Sequence, residues 1–96
     1  MNSVNIAGKV IEEPVKSQSS NGINLARFKL SVDKSAKDSG ADVFEVVVFR
    51  ELADIELQNG QYIGVTGKLV SNNLEKEDKK YYNCSIVGNA ITTFGC

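Results

Sequence analysis

Ninety-six residues, 42% of them hydrophobic and 24% charged, suffice for one small globular domain and are too few for two. The longest apolar runs, 46–49 and 62–65, fall far short of the ~18 residues of a membrane span, and the first residues show neither the basic start nor the apolar stretch of a signal peptide. Histidine, the commonest general base and metal ligand, is absent, and Cys84 and Cys96 fit neither a disulfide framework nor a zinc spacing. Neither metal nor cofactor is expected, and a reducing cytoplasm suits this cysteine usage.

The net charge of −1 conceals an uneven distribution. Residues 1–37 hold six basic groups against three acids, a local +3. Residues 38–60 hold six acids against Arg50 alone, a local −5, and residues 61–96 come to +1. Such a division allows one basic face on a nearly neutral molecule, or simply a solvated surface.

In chain order, Val4, Ile6, Gly8 and Val10 alternate with Asn5, Ala7, Lys9 and Ile11, the pattern of a half-buried strand that Pro14 ends. Lys16 to Gly22 reads as a turn-rich loop whose Asn21-Gly22 pair suits a hairpin. Ala26, Phe28, Leu30 and Val32 alternate with Arg27, Lys29 and Ser31 in a second strand. A polar connection, Asp33 to Gly40, leads to a third strand over Asp42 to Phe49. Both sides of it are largely apolar, which predicts a central strand covered on both faces. Glu51 to Leu57, with apolar Leu52, Ile55 and Leu57 and acids in its first turns, is the one helix, stopped by Asn59-Gly60.

A fourth strand runs from Tyr62 to about Ser71, where Gly64 and Gly67 mark a bend or bulge. The charged run Glu75 to Lys80 is a second hairpin loop, followed by a strand over Tyr81 to Val87 and a short closing strand over Ala90 to Phe94. Mid-strand Cys84 is expected to be buried and inert, and Cys96 exposed. Three strands, one short helix between strands 3 and 4, and further strands with two long hairpin loops give the element order of an all-β, five-stranded Greek-key barrel, the OB-fold, over the single domain 1–96. A small open sandwich is the alternative.

Several stretches resemble the bacterial and phage single-stranded-DNA-binding protein family. Residues 4–10 (Val-Asn-Ile-Ala-Gly-Lys-Val) with Pro14, residues 26–32 (Ala-Arg-Phe-Lys-Leu-Ser-Val), residues 46–53 (Val-Val-Val-Phe-Arg-Glu-Leu-Ala) and residues 60–69 (Gly-Gln-Tyr-Ile-Gly-Val-Thr-Gly-Lys-Leu) are similar to its strands and its strand-to-helix junction, in order and with family-like spacing. A primosomal replication protein of the same barrel type shares the resemblance. What the family implies is sequence-nonspecific coating of single-stranded DNA in replication, recombination and repair, by a homo-oligomer, tetramer or dimer. The departures are Ala36, Val43 and Leu74 where aromatics are usual, and Glu45 where a basic residue suits DNA better. The family's acidic C-terminal tail is not seen, so tail-mediated partners are not expected, and the chain resembles a phage, plasmid or accessory version.

Single-strand binding needs cations for phosphates and flat side chains for bases. Arg27 and Lys29, two residues apart, point the same way from the second strand. Phe49 is the stacking candidate, and Lys9 and Lys68 flank glycines on neighbouring strands. Lys76, Lys79 and Lys80 with Tyr81 and Tyr82 interleave basic and aromatic residues, diluted by Glu75, Glu77 and Asp78. Each has a plainer reading, as solvated strand face, core or interface. An enzyme is not expected. Without histidine only paired carboxylates remain for acid–base work, and helical spacing turns Asp54 and Glu56 apart. The competing function on the same barrel is a protein-interaction or primosome-like accessory subunit with weak DNA affinity. An interface is expected on the apolar side of the first strand and an open barrel edge.

Overall fold

The computed structural model describes residues 2–33, 40–76 and 79–94, and the side chains of these except at 72–76 and 79–83. Five strands, β1 (Val4–Gln18), β2 (Asn24–Asp33), β3 (Ala41–Phe49), β4 (Tyr62–Lys76) and β5 (Lys79–Thr93), close a barrel in the order β1-β2-β3-β5-β4. All neighbours are antiparallel except β3 and β5, which run parallel. This is the OB-fold topology, and barrel closure excludes the open sandwich.

Period-two alternation builds the core. Val10, Phe28, Leu30, Val46, Val48, Ile63, Val65 and Ile86 point inward, each at most 2% exposed. Each such side chain contributes roughly 1.5–3 kcal/mol by leaving water. Gly8 stands where β1 passes from pairing with β4 to pairing with β2, and a Cβ there would lie 2.3 Å from the Ser31 carbonyl oxygen. The corner of the barrel therefore requires a residue without a side chain. The sequence places a bulge near Gly64 and Gly67, and the β4–β5 register shifts between Thr66 and Gly67.

Several boundaries differ from expectation. Pro14 does not end β1; it lies between Glu12 and Val15, where the β1–β2 register is already shifted and the ladder loses nothing by its missing N–H. The first hairpin then turns within residues 19–23. The Gly22 N–H donates to the Ser19 carbonyl (2.9 Å), and Gly22 alone of the Asn21-Gly22 pair has positive φ (+80°), so the loop is three residues, Ser20 to Gly22, and Lys16 to Gln18 belong to β1 instead of to the loop. The helix over Glu51 to Leu57 is a 3-10 turn, Arg50–Asp54. The segment makes one tight turn in place of an α-helix, yet Ala53 and Leu57 still reach the core.

β4 and β5 extend through Lys76 and Lys79, so the predicted loop Glu75 to Lys80 is mostly paired strand, and Ala90 to Phe94 continues β5 instead of forming a separate strand. Cys84 is exposed, not buried, because that part of β5 pairs with β4 alone. β3 is central, and its middle is covered on both faces, with Val46 and Val48 fully buried on one side and Val47 8% exposed on the other; toward the strand ends that second face opens, at Val43 and Phe49, 54% and 37% exposed. The apolar side of β1 faces the core, and β1 pairs with β4 over Val4 to Lys9 and with β2 over Lys9 to Gln18.

Candidate functional site

On the outer face, residues opposite one another across the strands form rows. Val15, Arg27, Val47, Val87 and Lys68 are successive cross-strand partners over β1, β2, β3, β5 and β4. Arg27 and Lys68 are exposed and bracket the valines, three strand spacings or about 14 Å apart. Neither makes an ion pair with a described residue. Phe49 stands two residues beyond Val47 on the same side of β3, paired with Leu25 of β2. Between the two cations Val47 is buried and Val87 half-buried, so the exposed ring of Phe49 at the margin is what the row offers a base, and Arg27 and Lys68 are what it offers phosphates.

The next row carries Glu12, Lys29, Glu45, Ser85 and Val70. The Lys29 ammonium lies 3.8 Å from Glu12 Oε1, and Glu45 Oε1 accepts a hydrogen bond from the Ser85 hydroxyl at 3.1 Å. Lys29 thus shares the face with Arg27 but is flanked by a carboxylate on each side. Lys9 lies one row further, opposite Ser31 and Tyr62. It is six residues along β4 from Lys68, roughly 20 Å.

Lys76, Lys79, Lys80, Tyr81 and Tyr82 belong to the β4–β5 arm, in register opposite Lys79, Lys76, Glu75, Leu74 and Asn73. Their side chains, and that of Leu74, lie outside the described residues, as do Lys34, Ala36, Lys37, Glu77, Asp78 and Cys96. Tyr62 was not singled out by the sequence reading. It is 45% exposed beside Lys9, with its ring centroid 6.4 Å from that of Phe94. The signal for it was the alternation that sends Ile63 and Val65 inward and therefore Tyr62 outward. Among the described residues no group of three or more Cys, Asp or Glu is placed to hold a metal ion, and no helix is long and apolar enough to cross a membrane.

Comparison with known proteins adds a second line. The model of the single-strand binding protein family matches residues 1–94. Single-stranded DNA-binding protein 2 of Staphylococcus aureus strain Mu50 is 26% identical, over 95% of this chain and 70% of the relative. The single-stranded DNA-binding protein of Bacillus cereus is 29% identical, over 95% of this chain and 58% of the relative. Single-stranded DNA-binding protein 1 of S. aureus strain COL is 31% identical, over 95% and 59%. The chain thus spans between about three-fifths and seven-tenths of the length of these relatives.

Proposed function

Because the chain belongs to the single-strand binding protein family, we propose that it binds single-stranded DNA without sequence preference, coating exposed strands in replication, recombination or repair. The observation that carries this reading is the outer row in which Arg27 and Lys68 bracket Val47 and Val87 beside the exposed ring of Phe49. Its cations suit the phosphates of an extended strand, and a stacking ring such as that of Phe49 tolerates any base.

The family is a non-catalytic DNA-binding one, and we read this chain as non-enzymatic, acting in the cytoplasm with no cofactor and no membrane partner. The relatives compared are named for DNA binding, which does not favour the interaction-module alternative. Homo-oligomerisation, as tetramer or dimer, belongs to the same proposal. The exposed Val15 and Val43 (68% and 54%) support it, since they leave apolar surface for a second copy. Sedimentation should give the mass of several chains; the mass of one chain rejects the assembly.

The test of the function is fluorescence anisotropy of labelled oligo-dT and of a matched duplex at low and moderate salt. Binding to oligo-dT that weakens as salt rises, with little binding to duplex, is expected. Equal binding to both, or none to oligo-dT at low salt, rejects it.

A further inference from the structure

We propose that Arg50 is a further contact for single-stranded DNA, its guanidinium taking the backbone phosphate beside the base stacked on Phe49; this rests on the reading above. Arg50 has φ +59°, and among the described residues it alone combines a side chain with positive φ. Glycine adopts that conformation freely, whereas a residue with a Cβ adopts it against a steric penalty. Such strain persists where the surroundings impose it and recurs at ligand-holding positions.

The geometry shows what the strain achieves. Had β3 continued, alternation would have set residue 50 on the side of Val46 and Val48, both fully buried. The left-handed turn instead leaves Arg50 exposed, directly after Phe49, which is still extended (φ −124°, ψ 158°). The turn is held from beneath by Ala53, 2% exposed, and closed by the Ile55 N–H donating to the Leu52 carbonyl at 3.2 Å. An open groove of about 380 Å³ runs alongside, between the β1–β2 hairpin and the turn, with Lys16, Leu25, Ala53 and Asp54 in its wall. Leu25 is also the cross-strand partner of Phe49.

Two acids share the turn, Glu51 and Asp54, both exposed. Neither forms an ion pair with Arg50, whose side chain has no hydrogen-bond or ion-pair partner among the described residues. A role in offsetting those acids would draw the guanidinium onto one of them. Its separation from both leaves it available to a phosphate, for which its planar fork of donors is suited.

The experiment measures oligo-dT affinity across a salt series, with thermal melts, for the parent chain, Arg50→Gly and Arg50→Lys. Arg50→Gly removes the steric penalty, so it should melt at or above the parent temperature. It should bind oligo-dT roughly tenfold more weakly, the worth of one charge-assisted contact, with the salt slope shallower by about 0.7. Arg50→Lys should recover the slope. Arg50→Gly binding like the parent, losing affinity only together with a lowered melt, or Arg50→Lys remaining as shallow as the glycine variant, overturns the proposal. A parent that fails to bind oligo-dT overturns the function with it, whereas a binding parent and an indifferent Arg50→Gly remove this residue alone.

Discussion

On the outer side of β3, Phe49 and Glu45 stand four residues apart, and under the proposed function they would act on DNA in opposite senses. Phe49, 37% exposed at the end of the strand, offers a ring at little cost to the core. Stacking is worth about 1–3 kcal/mol per base, so Phe49→Ala should weaken oligo-dT binding by that amount, read by anisotropy at a temperature where the melt shows both chains folded. Glu45 is one row from Arg27, about 7 Å along the strand, where two unit charges in water interact by about 0.6 kcal/mol. Glu45→Gln keeps an acceptor for the Ser85 hydroxyl and removes the repulsion, so affinity should rise roughly threefold at low salt; unchanged affinity would place the strand elsewhere. The acidity of Glu45 was legible in the sequence, but the neutralisation of Lys29 was not. The register shift after Val10 sets Glu12, instead of Ile11, opposite Lys29, and an alternation pattern carries no record of a skipped residue.

At the scale of elements, strand interiors were readable and strand ends were not. Alternation reports which side chains point inward, and it marked β2 from Ala26 to Val32 within a larger observed strand, Asn24–Asp33. It says nothing of where a ladder stops, which cross-strand hydrogen bonds decide. The β4–β5 ladder accordingly runs on through Glu75 and Lys80, residues whose polarity reads as loop. The bulge was visible only as a glycine, and its necessity is geometric: a Cβ at Gly67 would lie 2.1 Å from the Val87 carbonyl oxygen, on a backbone that cannot yield. Gly67→Ala should therefore destabilise by more than about 2 kcal/mol, seen as a lowered melting temperature, whereas a melt within a degree of the parent would mean the bulge relaxes freely. Just beyond the bulge, the Asn2 side chain both donates to the Leu69 carbonyl (2.7 Å) and accepts from the Leu69 N–H (2.9 Å), tying the chain's start to β4. These bonds are exposed, and Asn2→Ala should cost only about 1 kcal/mol by the same melt.

For the whole molecule, a net charge of −1 would oppose DNA binding if only the sum counted, but phosphate binding depends on the cations that a strand meets. Closure of the barrel sorts the charges. Arg27 and Lys68 come from different halves of the chain onto one outer row, and Arg50 stands at its margin, all three without an ion-pair partner among the described residues. Lys29, by contrast, is paired with Glu12. A single strand that displaces about 0.7 counterion per phosphate contact gives, for three contacts, a slope of log affinity against log salt of about −2. The β4–β5 arm adds Lys76, Lys79 and Lys80, and if the strand runs on along it the slope steepens to about −4. The salt series therefore measures how far the DNA extends. A slope near −2 that is unchanged when the three arm lysines become alanine confines the strand to the barrel face. A slope near −4 that falls to −2 in the same variant carries it onto the arm, and a slope near zero contradicts binding through these cations at all.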